Sequence, residues 1–598
     1  MDTTTLVSEL LSARIWIAFD VDDHGHVLAG HDELGSVQLV EIEPDGSWTP
    51  LTDLPSKCSG RYIPGQRAIV VQHDQGGDEK VQLSRLDLDP LPAEPVGLEG
   101  LTTVIDDPAH MHDLRDITEQ TLLYSTNRRN DVDMDVVARD LATGEERVLH
   151  DGGGYVVGAA VDHAQRDLAV LRLSLQPNST VLDLVSSGTS SPWTDPDELA
   201  LHEGPSWSAD DSSLILASNH DREFAAVQSL TRDGVWQVLV SDDEHDLSCW
   251  VSPDSSAMVV GTLTDGAWSL SVHDASGTLR ADVDLPDLAA LSVRWSPDSS
   301  RVVVSGTSPV EPGVVSLVDA RSGATEVLVS AAEGLDPSVR SQLVEPSTHC
   351  IPARDGEQIP CFRYAAPDAG HPDGASVVVI HGGPEGASSR SWLPIVQALA
   401  ASGLTVLVPN VRGSTGYGKR WYSLDDVELR LESVADLADL HAWLPTQGLD
   451  PDRSALWGGS YGGYMVLAGV SMQPDLWAAG VDIVGMSSLV TFMENTSPYR
   501  RAYREREYGS LEHHRALLER ASPITYLQQM KAPLFVIHGA NDPRVPLSEA
   551  HQIARALEDN GVPCELRVYE DEGHGLAKRV NKIDAYPAAI EFVHRYLS

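Results

Sequence analysis

Three short segments in the middle of this chain repeat at a constant interval, and that interval limits the fold of the first half more than any other feature. Trp207-Ser208-Ala209-Asp210-Asp211-Ser212-Ser213, Val251-Ser252-Pro253-Asp254-Ser255-Ser256 and Trp295-Ser296-Pro297-Asp298-Ser299-Ser300 place Ser208, Ser252 and Ser296 44 residues apart. A period of about 40–45 residues, with apolar runs on both sides of an Asp/Ser turn, fits one four-stranded propeller blade. Weaker copies at Phe19-Asp20-Val21-Asp22-Asp23, Tyr62-Ile63-Pro64-Gly65, Asp116-Ile117-Thr118-Glu119 and Ala160-Val161-Asp162-His163 bring the series to seven. The sequence therefore predicts an all-β seven-bladed propeller over residues 16–330. Asp and Ser side chains cap tight hairpins, so the repeated turn is read as structural. Trp207, Trp250 and Trp295 are read as packing between blades.

After Ser330 the pattern changes. Residues 331–344 are polar, carry Gly334 and Pro337, and read as a linker. From 345 to 598 apolar strands alternate with helical stretches, which predicts a doubly wound, mostly parallel sheet in an α/β domain. Within it, Leu456-Trp457-Gly458-Gly459-Ser460-Tyr461-Gly462-Gly463-Tyr464 contains Gly-x-Ser-x-Gly. Between a strand and a helix, this motif holds a serine at a sharp apex where only glycine-sized neighbours fit. By itself it also describes an ordinary turn, so its partners decide. In the chain order that accompanies such an elbow, an acid follows a late strand and a histidine lies near the C-terminus. Leu534-Phe535-Val536-Ile537-His538-Gly539 leads into Asp542, and Leu566-Arg567-Val568-Tyr569 leads into His574. Ser460, Asp542 and His574 are the candidate catalytic residues.

The strand Ser376-Val377-Val378-Val379-Ile380 delivers His381-Gly382-Gly383-Pro384 to its C-terminal end. A Gly-Gly turn there can aim the Gly383 N–H at a developing oxyanion, with the Tyr461 N–H as the second donor. Met486 to Asn495 follows a buried strand and should line the mouth near Ser460. Phe492 and Met493 are candidates for an apolar first subsite, and Glu494 and Arg504 for further substrate contacts. The charged run Tyr499 to Tyr508 has two readings, an internally paired helix or an arginine that grips a substrate carbonyl or carboxylate. Asp425, Asp426, Asp436 and Asp439 are expected on a solvated helix face, without a metal.

Composition sets outer bounds. At 598 residues the chain exceeds one hydrophobic core. A net charge of −47 argues against nucleic acid and anionic membranes. That charge serves solubility or salt tolerance, or else draws in substrates bearing a free amine. Five scattered cysteines show no metal-binding spacing or dense disulfide pattern, which fits a reducing cytoplasm. Residues 1–15 should form a short amphipathic helix docked on the catalytic domain through Leu6, Val7, Leu10 and Leu11, and no run is long enough to span a bilayer. No cofactor motif occurs; the glycines of Asn410 to Gly418 lack the lysine of a phosphate loop.

A propeller followed by His-Gly-Gly-Pro, Asn-x-Arg-Gly-Ser-x-Gly-Tyr-Gly, Gly-Gly-Ser-Tyr-Gly-Gly-Tyr, Asn-Asp-x-Arg-Val-Pro and Gly-His-Gly, in that order, resembles the prolyl oligopeptidase family of serine peptidases, with the acylaminoacyl-peptidase-like branch nearest. The resemblance is motif-specific over residues 345–598 and architectural over the propeller. It implies an α/β-hydrolase domain, a nucleophile at Ser460, an acid at Asp542, a base at His574 and oxyanion donors at Gly383 and Tyr461. The paired glutamates that clamp a free N-terminus in the dipeptidyl branch cannot be located in the sequence. The expected function is hydrolysis of short peptides through an acyl-enzyme, with the propeller as a size filter. Two alternatives stand beside it: an esterase, amidase or peptide cyclase using the same acyl-enzyme, and an inert propeller scaffold. Homo-oligomerisation is left open.

Overall fold

The computed structural model describes residues 3–365 and 374–598; residues 1 and 2 of the expected N-terminal helix lie outside the described residues. Seven four-stranded antiparallel sheets follow one another from Trp16 to Ser330, each using only strands adjacent in sequence. All seven turns recognised in the sequence join the first strand of a blade to its second. In the three regular copies one device recurs. The Ser208, Ser252 and Ser296 hydroxyls donate to Asp210, Asp254 and Asp298 at 2.9, 2.7 and 2.6 Å. They also accept from the backbone N–H five residues on, at 3.1, 3.1 and 3.0 Å. The hairpins pass through a left-handed residue at Asp211, Ser255 and Ser299 (φ 58°, 54° and 60°). Trp207 packs between blades four and five and Trp295 between six and seven, donating indole N–H bonds to Ala160 and Trp250 carbonyls.

Ring closure uses side chains. Blade one (Trp16–Pro50) meets blade seven (Ala289–Ser330) through Trp16, Ala18 and Val40 against Val303, Val315 and Leu317, and the Ala18 N–H donates to Ser305 Oγ at 2.8 Å. The opposite rim, made of loops between second and third strands, faces the other domain. Asp32, Asn219 and Pro309 illustrate it, meeting Arg579, Lys419 and Gln397 at 2.8 Å each.

The second half is built on one eight-stranded sheet: β1 (Ser347–Pro352), β2 (Gln358–Tyr364), β3 (Ser376–Ile380), β4 (Thr405–Pro409), β5 (Ser454–Gly459), β6 (Ala479–Ile483), β7 (Leu534–Gly539) and β8 (Cys564–Tyr569). Its spatial order is 1-2-4-3-5-6-7-8, antiparallel at the β1–β2–β4 edge and parallel from there on. This is an α/β-hydrolase sheet behind a seven-bladed propeller. Strict alternation along the strands supplies two cores. Val378, Leu456, Leu534 and Val536 face the helices Arg430–Trp443 and Tyr461–Met472. Val377, Trp457, Phe535 and Ile537 face Pro394–Ala401 and Arg579–Leu597. The helix Thr3–Leu11 sits on this second core through Leu6, Val7, Leu10 and Leu11.

The expectation of a solvated acidic face fails: Asp426 and Asp439 are half-buried, and the other two acids are enclosed altogether. Asp425 and Asp436 are fully buried, because each meets an arginine that the linear pattern does not pair with it. Asp436 accepts from the Arg412 backbone N–H and Nε, both at 3.0 Å, and Arg412 also grips Asp355. Burial still pushes the Asp436 carboxyl up to about 7. Removing the guanidinium leaves that carboxyl buried and unpaired. Arg412→Ala should therefore lower the unfolding free energy by about 3–5 kcal/mol, seen as a reduced denaturant midpoint. An unchanged midpoint would contradict the pairing.

Candidate active site

Ser460 lies between β5 and the helix Tyr461–Met472 with φ 59° and ψ −118°, a conformation that a non-glycine residue holds only under constraint. The constraint is close packing. A Cβ on Gly462 would lie 2.2 Å from the Ile380 carbonyl oxygen, and one on Gly458 would lie 2.3 Å from that of Gly462. The strand, the helix and β3 thus approach closer than any side chain allows, and the Ser460 N–H is held by the Ile483 carbonyl at 2.8 Å.

The loops after β7 and β8 bring the two expected partners to this serine. His574 Nε2 lies 2.9 Å from Ser460 Oγ, and His574 Nδ1 lies 2.7 Å from Asp542 Oδ2. Asp542 Oδ1 accepts from the backbone N–H groups of Arg544 and Val545 at 2.8 and 3.0 Å, which fixes the carboxylate plane. With Nδ1–H directed at Asp542, Nε2 presents its lone pair to the serine hydroxyl. A serine, imidazole and carboxylate so linked can carry nucleophilic acyl transfer. Two neighbours support them that the sequence did not single out. Buried Glu572 accepts from the Ala577 and Lys578 N–H groups at 2.9 Å each and so ties down the loop that carries His574. Buried His538 sits 3.0 Å from the Val545 carbonyl, and burial lowers its pKa, keeping it neutral beside Asp542.

The Gly382-Gly383 turn lies against the serine: a Cβ on Gly382 would be 3.4 Å from Ser460 Cβ. Gly383 lines the same pocket as Ser460 and precedes a cis peptide to Pro384. Tyr461 is the first helical residue, so its N–H belongs to the group with no intrahelical acceptor. Its ring is buried, with the hydroxyl 2.8 Å from Ser433 Oγ and 3.3 Å from Asp425. Arg430 lies between Asp425 and Glu507, bonding both, with its guanidinium 5.4 Å from the Tyr461 ring and 4.6 Å from the Tyr508 ring. Burial raises both carboxyls despite this cation, and it pushes the adjacent Asp426 up to about 8. Asp425, Asp426 and Glu507 are close enough together to hold an ion, but Arg430 already supplies the positive charge there.

The pocket at Ser460 has a volume of about 230 Å³. Met486, Phe492, Tyr508 and Val545 give it apolar walls, and Arg500, Arg504 and Arg544 also line it. Of the four substrate-contact candidates, Phe492 and Arg504 line this pocket. Met493 and Glu494 do not. On the helix Leu489–Asn495 the residue after Phe492 is turned by about 100°; Met493 is fully buried in the hydrophobic core and Glu494 points outward to Arg515 at 2.8 Å. A larger cavity of about 660 Å³ lies between the propeller and the His574 loop, with Glu79, Asp113 and Tyr155 on its propeller side.

Residues 391–598 match the prolyl oligopeptidase family. Dipeptidyl aminopeptidase BIII of Pseudoxanthomonas mexicana is 28% identical, across 93% of this chain and 85% of that protein. The acylamino-acid-releasing enzyme of Rattus norvegicus is 27% identical over 37% of this chain and 31% of its own length. A puromycin-hydrolyzing peptidase of Mycobacterium tuberculosis superposes with a TM-score of 0.84 at 20% identity, covering 99% of this chain and 96% of that one.

Beneath the elbow, Asp482 of β6 is buried without a well-formed side-chain partner, and a Cβ on Gly463 would lie 2.5 Å from its Oδ1. Burial and the nearby Glu549 charge push its carboxyl up to about 8 against partial compensation from the Gly485 N–H. The folded state therefore holds a proton that the unfolded chain releases near pH 4, so stability falls as pH rises from about 4 towards 8. Asp482→Asn should melt several degrees above wild type at pH 8.5 and close to it at pH 5. Parallel melting curves at both pH values would contradict the assignment.

Proposed function

Since residues 391–598 make the second half of this chain a serine peptidase domain of the prolyl oligopeptidase family, we propose that Ser460 is its nucleophile, His574 its general base and Asp542 the acid that orients the imidazole. Ser460 Oγ attacks the scissile carbonyl as His574 Nε2 takes its proton, and the Gly383 and Tyr461 N–H groups receive the oxyanion. The same proton then passes to the leaving amine. Water, deprotonated by His574, releases the acyl group in a second addition and restores the serine. The observation that carries this reading is the hydrogen-bonded chain from Ser460 through His574 to Asp542 at a strained elbow.

The proposed substrates are short peptides or aminoacyl amides cut near one end. Six blades send loops onto the catalytic domain, including Gly76 to Asn541 at 3.2 Å and Ser174 to Arg506 at 2.6 Å, and these leave little room for a folded chain beside Ser460. The relatives fit this class, since their names describe a dipeptidyl aminopeptidase, an acylamino-acid-releasing enzyme and a puromycin-hydrolyzing peptidase. The proposed compartment is the cytoplasm, on the strength of five unpaired cysteines; no described helix is long and apolar enough to cross a membrane.

Ser460→Ala should abolish fluorophosphonate labelling and cleavage of aminoacyl p-nitroanilides while leaving the melting temperature near that of wild type. Asp542→Asn should lower kcat by about 10⁴-fold through loss of the correct imidazole tautomer. Persistent cleavage by the Ser460→Ala protein would refute the assignment.

A further inference from the structure

The helix Pro498–Tyr508 presents Arg500, Arg504 and Tyr508 four residues apart, hence on one face, and all three line the pocket at Ser460. The neighbouring arginines are neutralised: Arg506 meets Glu385 and Arg544 meets Glu79, each at 2.6 Å. Arg500 and Arg504 have no carboxylate within ion-pair distance among the described residues. Arg500 lies over the Tyr499 ring at 6.0 Å, and burial, followed by crowding from Arg504 and Arg544, lowers its pKa. Three guanidiniums therefore line one narrow pocket in which Glu385 is already engaged by Arg506 and Glu79, at its edge, by Arg544, so positive charge is left in excess. Such an arrangement costs free energy until an anion arrives. A neutral substrate carbonyl would occupy one donor and leave the charge imbalance in place.

The pocket also has a direction. At one end Tyr508 packs edge-to-face on Phe492 at 6.1 Å, and Arg430 bridges it to the Tyr461 ring, next to the nucleophile. This apolar end suits the residue whose carbonyl is attacked. At the other end Arg500 and Arg544 approach Glu79 and Tyr499, at the propeller. Arg504 lies between. An acyl chain running from Ser460 towards the propeller thus meets the apolar walls first and the free guanidiniums one residue later.

We propose that this pocket selects substrates that carry an anionic group on the second residue before the cleaved bond, an Asp or Glu side chain held by Arg504 and Arg500. The inference rests on the peptidase reading above and deepens it by assigning the substrate class.

The test is a set of dipeptidyl p-nitroanilides, Glu-Ala, Gln-Ala, Lys-Ala and Ala-Glu, with free and acetylated N-termini. Wild type should cleave Glu-Ala over Gln-Ala by about 10- to 100-fold in kcat/KM, the range of a hydrogen bond to a charged group, and mainly through KM. In Arg504→Gln that ratio should fall to within about threefold of one, Arg504→Lys should recover part of it, and Arg504→Glu should favour Lys-Ala. High salt should shrink the ratio in wild type, a readout that needs no variant. Equal or better cleavage of Gln-Ala by wild type, or acid preference only in Ala-Glu, would overturn the proposal. Fluorophosphonate labelling at Ser460 separates the two failures: labelled enzyme that ignores charge refutes the anion subsite alone, whereas unlabelled enzyme inert to every substrate refutes the peptidase reading.

Discussion

The approach of β3, β5 and the elbow helix to within backbone contact is the constraint from which the site follows. With no room for a Cβ at Gly458 or Gly462, the chain turns within one residue, and that residue must take a left-handed conformation. Ser460 is thereby pushed out of the sheet's C-terminal edge, and its backbone is locked to Ile483 before any partner is in place. The turn also makes Tyr461 the first residue of the helix, so the same geometry that exposes the hydroxyl exposes the N–H beside it. The exposed hydroxyl and the N–H beside it are therefore consequences of one steric fact, and the strain at Ser460 is offset by the surrounding core, where Tyr461, Tyr464, Met465 and Val466 are fully buried.

Around this rigid point the mobile parts of the chemistry are held by polar networks. Asp542 is fixed by two backbone donors and the His574 loop by Glu572, so the imidazole has support from both sides. Behind the oxyanion region the side chains of Asp425, Glu507, Arg430, Tyr461 and Tyr508 form a buried network with more carboxyls than guanidiniums, which is why burial leaves its acids partly protonated. Arg506 extends the network outward: it joins Glu385, two residues past Gly383, to the Ser174 and Ser179 carbonyls of the propeller. The propeller is thus wired to the Gly382-Gly383 loop as well as seated over it.

How much of this could be read from the sequence depended on the range of the interaction. The 44-residue period was legible because each blade repeats a local Ser–Asp hairpin device, and the elbow because steric exclusion acts within five residues of Ser460. Asp542 and His574 were legible because chain order limits where the loops after β7 and β8 can go. The misread acids belong to networks that close through residues distant in sequence. Asp436 looked solvent-facing because Arg412 lies 24 residues away, and Asp425 because its network closes through Glu507. Met493 looked like a pocket residue because spacing alone does not say which face of a two-turn helix meets the core. Arg500 and Arg544 were not singled out within their segments, since only the folded pocket brings them together.

That pocket reverses the sign of the molecule around it. A chain with a net charge of −47 carries three arginines beside Ser460. The two facts act at different ranges. At physiological ionic strength charges beyond about 8 Å are largely screened, so the acidic surface shapes solubility and the approach of solutes without fixing what binds at Ser460. Inside a pocket of about 230 Å³, walled by Met486, Phe492 and Tyr508, water screens far less and the guanidiniums dominate. The acidic composition, which read from the sequence pointed towards amine-bearing substrates, therefore describes the outer field alone. Selection at the scissile bond is governed by the few charges that the fold leaves unpaired within reach of the substrate, and among the described residues those are arginines.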